Sequence, residues 1–215
     1  MSMDCKATVP IGDVSRGGRT RGDHQACDHD LGLKEKYIPC GILEEERGQL
    51  HITFGRSAKT SDGIVDALEA WWAALEEAEP VAMARWQSKR ANGPERRGSR
   101  TQLLHRMVQL ADQIGNPIHL LYYPPDHRKD NPLERCWGIV ELHWHGTKLV
   151  DVEPMLAWAK SMTWKGIHPV VELSRKVDQK GMALGKKAMQ AVERRLERHP
   201  ELPKGDMLIR PASAL

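Results

Sequence analysis

A chain of 215 residues, 40% hydrophobic and 28% charged, is long enough to bury a real core and has the balance of a soluble globular protein. No apolar run reaches the roughly 18 residues of a membrane span, and the start, MSMDCKATVPIGD, has no basic region leading into an apolar stretch, so a cytoplasmic location is expected. The net charge of +3 is only mildly basic, and the four cysteines (Cys5, Cys27, Cys40, Cys136) form no CxxC pair, which argues against a zinc ribbon and for reduced thiols.

A strand-like segment runs from Met3 to Val9 and carries Asp4. A long polar region, Pro10 to Lys36, follows and contains SRGGRTRG; connections of this length are usually functional or mobile. Tyr37 to Leu43 (YIPCGIL) and Leu50 to Phe54 (LHITF) read as a hairpin, with Gly48 suited to the turn. Thr60 or Ser61 can cap a helix whose apolar residues Ile64, Val65, Leu68, Trp71, Trp72 and Leu75 repeat at helical spacing, which marks the tryptophans as core.

Pro80 breaks that pattern, and Val81 to Trp86 reads as a buried strand. Lys89 to Arg100 (KRANGPERRGSR) reads as a loop, and Ser99 or Thr101 as the cap of a helix that Gly115 and Pro117 stop. Ile118 to Tyr123 is a strand ended by prolines, and a helix opens at Asn131 and runs to about Trp144. Beyond Gly146 the periodicity is helical only, over Val152 to Met162 and Leu184 to Arg198, with a loose tail from Pro200. The order of elements implies an α/β sheet covered by helices, its first three strands antiparallel and the later, helix-separated strands parallel.

Acidic chemistry is available at Asp4, in the loop ANGPE, and at Glu134 in DNPLERCW. Two-metal phosphoryl chemistry needs carboxylates from separate segments to converge on ions about 3.5–4 Å apart, and Mg²⁺ is satisfied by few protein oxygens plus water. Each acid also has a plainer reading. Asn131, Pro132 and Glu134 form a capping box, worth roughly 1 kcal/mol. Asp4 can be a surface acid, although Asp is disfavoured within strands. Basic residues gather in glycine-containing loops or near helix starts, where DNA phosphates can be met or where they simply face solvent.

The run YYPPDHRKDNPLERCWGIVELHWHGTKL, followed by AKSMTWKGIHPVVEL, resembles the end of the catalytic domain in insertion-sequence transposases of the ISAzo type, DDE enzymes with a ribonuclease H-like fold. The similarity extends upstream through RGSRTQLLHRMVQLAD and FGRSAKTSDGIVDALEAWW to SMDCKATVPIGDVSRGGRTR. It implies a ribonuclease H-like α/β catalytic domain over residues 1–146 and a helical C-terminal extension over 147–215. It also implies Mg²⁺ (or Mn²⁺) at Asp4 and Glu134 as catalytic ligands, and DNA, as transposon ends and target, as the partner in the bacterial cytosol or nucleoid. Lys6, Arg16, Arg19, Lys89, Arg96, Arg97, Arg128 and Lys129 are then the expected DNA-binding residues.

Two departures stand out. Where the family has its second aspartate, in a run similar to Asp-Asn-Gly-Pro-Glu, this chain has Ala91, which cannot ligate Mg²⁺; Glu95 is the nearest carboxylate that can compensate. The helix-turn-helix region such transposases place upstream is not expected within the residues before Asp4. The resemblance therefore implies an N-terminally shortened, impaired DNA strand-cleaving and strand-transferring enzyme. The alternative is a catalytically dead DNA-binding remnant that self-associates or pairs with a full-length transposase. A host nuclease of the same fold is a third reading.

Overall fold

The computed structural model describes residues 1–17, 35–56, 59–78, 86–90, 100–123, 130–178 and 184–214. They form a mixed α/β fold of ribonuclease H-like type, with parallel and antiparallel strands flanked by helices. The elements up to the third helix are β1 (Ser2–Cys5), β2 (Val9–Pro10), β3 (Lys36–Leu43), β4 (Leu50–Gly55), α1 (Ser61–Ala78), β5 (Trp86–Arg90), α2 (Arg100–Ile114), β6 (Ile118–Tyr122) and α3 (Pro132–Trp144). After it come α4 (Val152–Ser161), β7 (Val170–Ser174), α5 (Lys186–Glu193), β8 (Leu196–Arg198), β9 (Asp206–Ile209) and a closing 3₁₀ turn at Ala212–Ala214. The chain divides into two compact units, one of Met1–Met3, Lys59–Asn131 and Asp178–Leu215, the other of Asp4–Ala58 and Pro132–Val177.

In the first unit, β5 runs parallel to the start of β1 (Ser2↔Lys89, Met3↔Arg90) and to β6 (Trp86↔Ile118 through Arg90↔Tyr122). The expected tryptophan core is present. Val65, Leu68, Trp71 and Trp72 of α1 are buried, and Trp86 packs with its ring centroid 5.3 Å from Trp71 and 5.9 Å from Trp72. Thr60 caps α1, its Oγ1 accepting the Gly63 N–H at 3.0 Å, which satisfies one of the helix's orphan donors. Arg106 of α2 donates to Asp62, Asp66 and Glu69, which lie along one stripe of α1.

In the second unit, β3 and β4 form the expected hairpin (Ile38↔Gly55 to Leu43↔Leu50). Its turn closes through Gly48, whose φ of +72° is the left-handed conformation glycine tolerates. β2 pairs antiparallel with β3, and β7 parallel with β4. One dry core joins Leu43, Leu50, Ile52 and Phe54 of the hairpin to Leu133, Trp137, Val140 and Trp144 of α3 and Met155 of α4. Burying each such side chain contributes ~1.5–3 kcal/mol.

Several sequence expectations need correction. The first strand is two, β1 and β2, because residues 6–8 leave the pairing. The strand expected at Val81 to Trp86 is β5 at Trp86–Arg90, so Lys89 lies in a strand rather than a loop; residues 81–85 lie outside the described set. β5 reads WQSKR, and its polar Ser88 and Arg90 are buried beside Trp86, so composition hides an alternating strand. α2 begins at Arg100, which places Thr101 inside the helix; Ser99 lies outside the described residues.

The C-terminal region is not only helical. It supplies β7, β8 and β9, with β9 antiparallel to both β6 and β8. The helix expected to reach Arg198 stops at Glu193, and Arg194-Arg195 turns the chain into β8. The tail is tied down rather than loose. Arg195 binds Asp112 and donates to the Arg210 carbonyl at 2.9 Å, and the Ala212 N–H donates to Asp112 at 2.7 Å.

Candidate active site

Asp4 sits in β1 and is half-buried; its Oδ1 accepts the Cys5 N–H at 2.9 Å. Two residues on, the Lys6 N–H donates to the Pro39 carbonyl of β3 at 2.9 Å, which docks the segment carrying Asp4 on that strand. Glu134 lies in the first turn of α3 and is exposed. Its neighbours explain that orientation: Leu133, Cys136 and Trp137 face the core, and Glu134, about 100° round the helix from Leu133, flanks that face on its solvent side. As the capping-box reading expects, Asn131 directly precedes the helix and Pro132 opens it.

α3 reaches β3 at Gly41. A Cβ there would lie 2.7 Å from the Trp137 ring and 3.0 Å from Leu133, so glycine is what allows the helix to come this close. Pro39 and Gly41 are two positions apart, about 7 Å along a strand. The segment after Asp4 and the first turns of α3 thus dock on one short stretch of β3, and both carboxylates belong to the second unit.

The cations near this site are held internally. Lys6 Nζ lies 2.8 Å from Glu141 Oε1, and Arg16 Nη2 lies 3.9 Å from Glu141 Oε2, with side chains only 13% and 10% exposed. The Arg16 guanidinium also sits 5.2 Å from the centre of the Trp144 ring. Burial pulls its pKa below the ordinary value, and the Glu141 carboxylate opposes that shift. Lys89 lies half-buried in β5 with its N–H on the Met1 carbonyl. Ala91, Glu95, Arg19, Arg96, Arg97, Arg128 and Lys129 lie outside the described residues.

Asp4 and Glu134 offer carboxylate oxygens of the kind Mg²⁺ takes, with water completing its shell. Among the described residues, however, no group of three His, Cys, Asp or Glu side chains is gathered to hold a metal ion. Position 91 is alanine, whose side chain has no donor atom for a metal ion.

Sequence reasoning missed Gly41 and Glu141. A glycine inside a strand signals close approach of another element, and that signal was available for Gly41. Glu141 looks like any helix-surface acid until its spacing is noticed: seven residues after Glu134, it returns to the same helix face.

Compared with known proteins, residues 1–211 match the family described as the Rhodopirellula transposase DDE domain, a span that runs past residue 146 and includes the C-terminal strands. No curated protein and no solved structure gives a significant match. Among the described residues, no helix is long and apolar enough to cross a membrane.

Proposed function

The chain belongs to the family of transposase DDE domains, and we propose that it binds DNA with Asp4 and Glu134 as the surviving ligands of an incomplete Mg²⁺ site, so that strand cleavage and transfer are impaired. Family membership implies divalent-metal chemistry on DNA as the general activity. The observation that carries the finer reading is the docking of both carboxylate-bearing segments on Pro39 and Gly41 of one strand, in a chain whose third ligand position is Ala91.

In this reading, Asp4 and Glu134 hold and orient the ion, and α3 keeps Glu134 clear of the core so that it faces the ligand rather than the protein. When bound, divalent ions supply Lewis-acid stabilisation to the attacking and departing oxygens of a phosphodiester. Water is the nucleophile in cleavage, and the freed 3′-hydroxyl is the nucleophile in strand transfer. Lys89, Arg19, Arg96, Arg97, Arg128 and Lys129 are the cations proposed to meet DNA phosphates. Lys6 and Arg16 are better suited to an internal role, because Glu141 already engages them. The alanine at position 91 equally favours a second reading, a catalytically dead DNA-binding protein that associates with itself or with an intact transposase.

A cleavage and strand-transfer assay with Mg²⁺ or Mn²⁺ decides between them. The unaltered chain is expected to show little activity and Ala91→Asp a clear gain that Glu134→Ala removes. Robust activity of the unaltered chain, abolished by Glu134→Ala, contradicts the impairment. No gain in Ala91→Asp, with DNA binding intact, favours the dead protein. Binding should weaken steeply as salt rises if the basic residues contact phosphates.

A further inference from the structure

We propose that Glu141, with Lys6 and Arg16, forms a positioning device that holds the Asp4 segment at a fixed spacing from Glu134; the inference rests on the metal-site reading above. Glu134 and Glu141 are two helical turns apart on one face of α3, and Lys6 is two residues after Asp4. The 2.8 Å pair between Lys6 and Glu141 therefore joins the two ligand-bearing segments directly, beside the sites at which each rests on β3. The pair is sheltered on one side only: Lys6 is 13% exposed, so loss of Glu141 leaves its charge largely away from water, whereas Glu141 is 37% exposed and stays solvated if Lys6 is lost.

Arg16 extends the tie along the helix. Its buried Nε and Nη2 find no hydrogen-bond acceptor among the described residues, so Glu141 and the Trp144 ring are what balance its charge. The backbone follows the same path. The Gly146 N–H donates to the Gly17 carbonyl at 2.8 Å, and the Gly12 N–H to the Leu149 carbonyl at 2.8 Å. Residues 6–17 thus strap α3 from Glu141 to just past its end, and the strap begins at Lys6, two residues after Asp4. Glu141 and Lys6 touch no reacting atom in this scheme; they act through the carboxylates they space.

The test measures Mn²⁺ affinity of the full chain by the electron paramagnetic resonance signal of the free ion, with thermal unfolding measured in parallel. Glu141→Gln and Lys6→Met are expected to weaken Mn²⁺ binding about tenfold, the usual scale for groups that orient ligands. Lys6→Arg, which keeps the charge, is expected to restore it. Unfolding temperatures that fall with Mn²⁺ affinity unchanged overturn the proposal and leave a purely structural strap. If Asp4→Asn and Glu134→Gln themselves leave Mn²⁺ binding unchanged, the metal-site reading fails and the positioning role falls with it, a result distinguishable by those two variants alone.

Discussion

The two units are held together by different physics. The second, which carries Asp4 and Glu134, rests on a dry core of hairpin and α3 residues, with Phe54 and Trp144 at a centroid distance of 6.1 Å and Gly41 admitting Trp137 at close range. The first relies on a tryptophan trio and, at its periphery, on charge clamps: Arg106 over three acids of α1, and Asp112 gathering Arg195 and the Ala212 N–H. The contrast ties the candidate site to packing precision. A small steric change on β3 should reach the site, whereas a comparable loss around Trp86 should cost stability without altering metal affinity.

The largest effects test that split directly. Trp144→Ala and Trp86→Ala each remove a buried tryptophan and are expected to cost ~3–5 kcal/mol by denaturant unfolding. In protein that remains folded, only Trp144→Ala should weaken Mn²⁺ binding; an equal loss in both variants breaks the comparison. Gly41→Ala forces a methyl against the Trp137 ring and is expected to cost ~1–3 kcal/mol. It should also lower Mn²⁺ affinity, since α3 must retreat from β3.

A smaller and opposite effect is expected in the first unit. Arg90 is 6% exposed, and its Nη1 is buried without a hydrogen-bond partner among the described residues. Arg90→Met removes that unsatisfied buried nitrogen and keeps the apolar stem, so stability should rise by ~1 kcal/mol. A fall in stability would mean that Arg90 has a structural partner.

The smallest effects are pH-dependent and differ between the units. Burial raises the Asp112 pKa, but the Arg195 and Ala212 hydrogen bonds outweigh it and leave the carboxyl below its ordinary value. Its contribution is present above the unfolded carboxylate pKa of about 3.9 and is lost as pH falls through the lower folded value. Asp112 is 38% exposed, so solvent screening keeps the effect modest; acid unfolding of Asp112→Asn should lack this component.

Cys136 shows the reverse sign. Burial pushes its thiol up to about 12, so the folded chain keeps a proton that the unfolded chain releases near pH 8.5. Stability from this group is present below about pH 8.5 and declines as pH rises towards the folded value. Cys136→Ala should flatten that alkaline decline, and the native thiol should resist alkylation at pH 8 to roughly 9.

Much of the fold was legible because long amphipathic patterns and turn chemistry agree with tertiary structure. The α1 tryptophan stripe, the Gly48 hairpin and the Asn-Pro start of α3 are of this kind. Short strands were not legible. β8 and β9 have three and four residues, too few for a period to register, and Val192 and Leu196 four apart imitate a continuing helix. β5 was hidden by Lys89 and Arg90, whose burial depends on neighbours the local sequence does not name. At the site, Asp4 and Glu134 stood out through motif and resemblance. The tie between them did not, because an ion pair between Lys6 and Glu141 spans the whole interval from strand to helix and leaves no local mark.

The central claim, that Asp4 and Glu134 hold one ion between them, is tested most directly by counting Mn²⁺ bound per chain in the unaltered protein and in Asp4→Asn and Glu134→Gln. A single ion that either substitution removes is expected. An ion lost in one variant and retained in the other would place the two carboxylates in separate sites and contradict it.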